Sequence, residues 1–154
     1  WTKDSRVQGY IGDLYDASIS ELQNAIQKSN TDKVECICWH QGEQDFDRSH
    51  EYYSTALKSV IDQYRSELMI PNDVQFICGE LISNYYHPWD GKKQNTILNE
   101  INIDNDKDTK CVSAADLTFN DGIHFDSKSI RLLGKRYFSE YINILFQKYN
   151  YSIL

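Results

Sequence analysis

The chain has 154 residues, room for one hydrophobic core and too few for two, so a single domain is expected across residues 1–154. Hydrophobic residues at 40%, charged residues at 25% and a net charge of -7 describe an ordinary globular domain without the basic surface that tracks a nucleic acid backbone. No apolar run approaches the roughly 20 residues that span a bilayer, so neither a nucleic acid nor a membrane is an expected partner; Trp1-Thr2-Lys3-Asp4 carries no signal-peptide pattern, which says little.

Residues 1–12 are polar and irregular, broken by Gly9 and Gly12. From about Asp13 the pattern turns helical, with Leu14, Ile19, Leu22 and Ile26 at three-to-four spacing and Ala17 and Ala25 beside them. This helix should end near Ser29 and Asn30. Residues 34–39 are a short run of apolar, β-forming residues and predict a strand buried on both faces. A polar loop over 41–47 leads into a second helix reaching about Met69, whose stripe is Tyr53, Leu57, Val60, Ile61, Tyr64 and Leu68. Pro71-Asn72-Asp73 is a turn, and 74–78 predicts another buried strand. An aromatic loop, Asn84-Tyr85-Tyr86-His87-Pro88-Trp89, precedes a shorter helix over about 92–101.

The run Asp104-Asn105-Asp106-Lys107-Asp108 reads as a solvated turn, because it lacks the central Gly and closing Glu of a calcium loop. Cys111-Val112-Ser113 predicts a third short strand, and residues 127–149 a last helix with Ile130, Leu133, Tyr137, Tyr141 and Leu145 on its buried stripe. Strands alternating with helices imply an α/β fold, a parallel sheet between two helical layers. In such sheets ligands bind beyond the carboxyl ends of the strands. The loops at 39–45, 84–89 and 116–124 each follow a predicted strand and belong on that edge.

Cys36, Cys38, Cys78 and Cys111 lie in or at the start of strand-like runs. Cys36 and Cys38 share one strand face and cannot easily bridge each other. A C-x-C pair with His40 nearby suggests zinc, but no second pair has ligand spacing, so buried free thiols and no metal site are expected.

Two stretches carry the chemistry. Asp121-Gly122-Ile123-His124, ahead of Phe125 and Asp126, places a carboxylate and an imidazole three residues apart in a turn that opens the last helix. The Asp accepts the Nδ1 proton, which leaves Nε2 free to take a proton from a nucleophile. The alternative is a plain helix start, with Asp126 or Ser127 as N-cap and His124 a surface residue. The second stretch is Trp39-His40-Gln41-Gly42-Glu43-Gln44-Asp45.

Together the two resemble the SGNH hydrolase superfamily, in particular its sialate O-acetylesterase-like carbohydrate esterases. That branch carries a W-x-Q-G-E-x-D segment after a central strand and a D-G-x-H-F segment before the last helix. Leu133, Gly134 and Arg136 are similar to the family as well, and the resemblance covers roughly residues 34–145. It implies a flavodoxin-like three-layer α/β/α fold and hydrolysis of O-acetyl esters of sugars such as sialic acids by a Ser-His-Asp mechanism, without metal or organic cofactor. By position His124 would be the base, Asp121 its orienting partner, and Gln41 and Gly42 oxyanion-hole donors. Glu43 would tie the loop together. Trp39, Tyr85, Tyr86 and Trp89 would offer flat faces to a sugar, with core or loop packing the alternative for each.

The chain departs from the family at the nucleophile. No G-Q-S-N-like segment is present; Gly12-Asp13-Leu14 starts a G-D-S-L pattern but has Leu in place of Ser. Ser83 and Ser113 lie near strand ends without a nucleophile context. In the family two strands and their crossovers precede the Gln-Gly-Glu strand, and residues 1–38 cannot hold them. The expectation is therefore the C-terminal two thirds of an esterase domain, inactive alone, which needs its N-terminal segment or a second chain to complete the sheet. The rival functions are a catalytically dead glycan-binding remnant and another SGNH-type esterase such as a lipid esterase.

Overall fold

A computed structural model describes residues 11–29, 33–71, 74–83, 91–103 and 109–150. Its centre is a parallel sheet of three short strands, β1 (Cys36–Trp39), β2 (Gln75–Gly79) and β3 (Thr109–Val112), in the order β1-β2-β3. The register sets Cys36 opposite Gln75 and Trp39 opposite Cys78, and sets Cys78 opposite Cys111. Four helices complete the chain: α1 (Ile11–Lys28), α2 (His50–Glu67), α3 (Lys92–Ile103) and α4 (Ser127–Asn150).

Strand alternation divides the core in two. Trp39, Phe76 and Cys78 face α1, α2 and α3, packing with Tyr15, Ile19, Tyr53, Leu57, Val60, Ile61, Ile97 and Leu98. Ile77 and Val112 face the other way, onto Leu133 and Ile144 of α4. The result is the expected three-layer α/β/α arrangement, with α4 alone covering one face of the described sheet.

The α2 stripe is buried as its spacing predicts, from Tyr53 through Tyr64, and Ser49 caps the helix by accepting the Tyr52 N–H at 3.1 Å. Three expectations need correction. In α1 the buried residues are Tyr15 and Ile19, while Leu14 is 52% and Leu22 37% exposed. The helix is rotated by its contact with α2, where the rings of Tyr15 and Tyr64 lie 5.3 Å apart and Ser18 shares a 2.6 Å hydrogen bond with the Tyr64 hydroxyl. In α4, Ile130 is exposed and Ile144 takes a core position. Ser129 is buried instead, because its hydroxyl accepts the Thr118 N–H at 2.8 Å.

The third correction concerns β1, expected to be buried on both faces. β2 matches that description because it is the central strand, but β1 is only partly covered and Cys38 is exposed. Among the described residues nothing pairs with its outer edge. A cavity of about 350 Å³ runs along it, lined by Leu22, Val34, Ile37, Trp39 and Leu68 among others.

Candidate active site

The segment between β3 and α4 is folded back on itself. Phe119 and Phe125 form an isolated antiparallel bridge, and Asn120 N–H reaches His124 C=O at 3.3 Å. Closing so short a loop requires Gly122 at φ 87, a conformation that a side chain disfavours. Inside the loop both oxygens of Asp121 are occupied. Oδ1 accepts the backbone N–H groups of Ile123 at 3.0 Å and His124 at 2.7 Å, and Oδ2 lies 2.7 Å from His124 Nδ1.

The electrostatics follow from these bonds. The His124 ring, then the His124 and Ile123 amides, hold the Asp121 carboxyl well below the usual carboxylate range. Asp121 in turn raises His124 above the ordinary imidazole value, with a smaller upward push from Glu43. Nδ1 is thus the protonated nitrogen, and Nε2 has no hydrogen-bond partner among the described residues. The pair is open to solvent, with side chains 68% and 54% exposed. Asp126 meanwhile caps α4, accepting the Ser129 N–H at 2.7 Å, and also accepts the Thr118 hydroxyl. The helix-start reading and the paired Asp-His reading describe different residues of one loop, and both arrangements are present.

The loop after β1 meets this segment. The rings of His40 and Phe125 lie 5.6 Å apart, and Glu43 is near enough to act on both histidines. His40 is lowered by burial, against the upward pull of Glu43, whose Oε1 is 3.5 Å from His40 Nε2. The loop itself is held from two helices. Tyr53 of α2 donates its hydroxyl to Gln41 C=O at 2.8 Å, and buried Gln94 of α3 donates to Asp45 C=O at 2.6 Å. Gly42 turns at φ 143 beneath the Tyr53 hydroxyl, and Glu43–Asp45 forms a short 3-10 turn.

The Gln41 side-chain amide donates to Asp45 Oδ2 at 2.9 Å, so it is engaged within its own loop. Trp39 is 8% exposed and packs against Phe76, which places its ring in the core and not against solvent. Tyr85, Tyr86 and Trp89 lie outside the described residues. Among the described residues no cluster of three or more His, Cys, Asp or Glu side chains has metal-binding geometry.

Sequence reasoning passed over Glu80 and gave Arg136 and Tyr137 no part in holding this edge of the sheet. Glu80, immediately after β2, accepts the Ser113 hydroxyl at 2.8 Å, the Ala114 N–H at 2.9 Å and Asn99 Nδ2 at 2.7 Å. Partial burial pushes its carboxyl up, but those donors and nearby Arg136 outweigh it and the net shift is down. Arg136 donates to Ser113 C=O at 2.6 Å and to Asp116 at 2.5 Å. Tyr137 crosses over Gly79 to donate to Trp39 C=O at 2.5 Å, tying α4 to the end of β1. The available signal was a carboxylate directly following an apolar strand, where backbone donors converge. Beside Glu80 lies a cavity of about 600 Å³, lined also by Ser83, Asn95, Asn99, Leu117 and Phe119.

A sequence profile of a family described as carbohydrate esterase, sialic acid-specific acetylesterase, matches residues 1–143. No curated protein matches the chain. Among solved structures, the X-ray structure of a protein from Arabidopsis thaliana matches with a TM-score of 0.70 at 20% identity, over 84% of this chain and 52% of that one. The chain therefore spans about half the length of that relative, and at this identity the likeness speaks for the fold.

Proposed function

This chain belongs to the sialic acid-specific acetylesterase family of carbohydrate esterases, and on that premise we propose that it supplies the base-bearing part of an O-acetylesterase site. The observation that carries the reading is the 2.7 Å contact between Asp121 Oδ2 and His124 Nδ1, with Nε2 left unpartnered among the described residues. In the proposed reaction a serine hydroxyl attacks the acetyl carbonyl and its proton passes to His124 Nε2. The sugar oxygen leaves with that proton, and water then hydrolyses the acetyl-enzyme by the same steps. Asp121 keeps the imidazole in the required tautomer and stabilises the imidazolium. The Gly42 N–H and the Gln41 amide, once released from Asp45, serve the oxyanion. Tyr85, Tyr86 and Trp89 remain the aromatic faces proposed for the sugar. The attacking serine comes from outside the segments that carry these residues.

One observation favours the rival reading of a glycan-binding remnant: the Asp-His pair is exposed, and no serine hydroxyl among the described residues bonds to the imidazole. Acetate release from an O-acetylated sialic acid separates the two. Protein made from the complete reading frame that encodes this chain should turn over, and His124→Ala should cost about 10³-fold or more in kcat. The 154-residue chain alone should hydrolyse an aryl acetate no faster than its own His124→Ala variant. Sugar binding without turnover in the complete protein supports the remnant. Turnover by the short chain that depends on His124 places the nucleophile within it, with Ser83 and Ser113 the first to replace.

A further inference from the structure

Cys36 and Cys38 occupy successive same-face positions of β1, with their Sγ atoms 4.0 Å apart. Neither is sealed in the core: Cys36 is half-buried on the α4 side of the sheet and Cys38 is exposed. The spacing is a poor one for a disulfide. Sulfurs would have to close to about 2.05 Å, while two residues of extended strand hold the Cα atoms about 6.7 Å apart, near the far end of disulfide geometry. It is a good one for a bridging ion. Metal–sulfur bonds of about 2.3 Å at a tetrahedral angle set two sulfurs about 3.8 Å apart, so the observed separation needs almost no adjustment. We infer that Cys36 and Cys38 form a two-thiolate site for a soft d10 cation, of the zinc, cadmium or copper(I) class, whose remaining positions are open to solvent beside exposed Cys38.

The strand itself provides the pre-organisation. Hydrogen bonding to β2 holds the backbone extended, which points both sulfurs to one side before any ion arrives. Thiolates select soft cations over the harder ions taken by carboxylates. Binding is a simple exchange: a divalent ion forms two metal–sulfur bonds, the thiol protons not already lost pass to solvent, and no electron moves. The other two cysteines are a built-in contrast. Cys78 and Cys111 face each other across β2 and β3, but Cys78 is fully buried and its thiol is directed at the Lys110 carbonyl, 3.2 Å away.

Cadmium(II) titration of the reduced 154-residue protein, followed by the ultraviolet thiolate-to-metal charge-transfer band, tests the site. The band should saturate at one ion per chain and be lost in Cys36→Ser and in Cys38→Ser. It should persist in Cys78→Ser and Cys111→Ser. A band that survives the Cys36→Ser/Cys38→Ser double replacement, or that falls only by half in each single one, overturns the proposal. A second measurement needs no variant. Phenylarsine oxide condenses with two neighbouring thiols, forming two As–S bonds and releasing one water. Peptide mapping should find that adduct on the single tryptic fragment between Lys33 and Arg48 that contains both cysteines. An adduct confined to Cys78 and Cys111, or none, refutes the site even if the serine variants fail to fold.

Discussion

Replacing Gly42 by Ala tests whether the loop after β1 is as tightly built as the structure shows. The residue has φ 143, and a Cβ added there would stand 2.7 Å from the Tyr53 hydroxyl oxygen and 2.9 Å from Leu81 Cδ1. Both distances are too short for a real Cβ. A residue forced into that backbone region costs about 1–3 kcal/mol. Crowding a packed site costs about 1–3 kcal/mol more. With partial relief by small shifts, a loss of about 3 kcal/mol is expected, or about 6–12 °C in Tm for a chain of this size. Urea denaturation followed by circular dichroism measures it. Gly134→Ala is the matched control: it lies in α4 with nothing within 4 Å of the added carbon, and should stabilise by about 0.5–1 kcal/mol. Tyr53→Phe removes the nearest clashing atom, so in the Gly42→Ala background it should cost about 1 kcal/mol less than it does alone. Were Gly42→Ala within about 0.5 kcal/mol of the parent, neither the strain nor the Tyr53 contact would stand as described.

Four further outcomes are expected. The His124 imidazole, followed by NMR, should titrate above about 6.5, and Asp121→Asn should bring it back toward that value. Because the folded value is raised, the stability this pair contributes is present below about pH 6.5 and is lost as pH rises through the folded value; His124→Ala should therefore destabilise more at pH 5.5 than at pH 8.5. Tyr137→Phe strands the Trp39 carbonyl that the hydroxyl now satisfies, and should lower stability by about 1–2 kcal/mol in thermal melts; an unchanged melt would remove the tie between α4 and β1. The outer edge of β1 bears apolar side chains and backbone groups that no described strand satisfies, a template for strand addition. Size-exclusion with mass detection should find the chain associated with itself or with a further segment, and a monodisperse, cooperatively melting monomer would refute that.

Residue types and their spacing determined the order and kind of the elements. The α2 stripe from Tyr53 to Tyr64 and the apolar strand at Phe76 to Cys78 were legible because 3.6- and 2-residue periods are local consequences of backbone geometry. The Asp121–His124 contact was legible for the same reason: three residues and one glycine are enough to close it. What lay beyond the sequence was everything set by partners distant along the chain. Leu14, Leu22 and Ile130 fit a helical stripe, yet the face a helix turns inward depends on its neighbour, and the Tyr15–Tyr64 and Thr118–Ser129 contacts decided it. The β1 residues read as a strand buried on both faces, and although the sheet was expected to need completing, how far β1 is uncovered followed from its outermost place among the described strands. Glu80 drew no notice as one carboxylate among many; its role exists because the folded sheet brings Asn99, Ser113 and Ala114 to it from two other elements. Hydrogen-bond donors separated by tens of residues leave no period to read, and their convergence is a property of the tertiary fold alone.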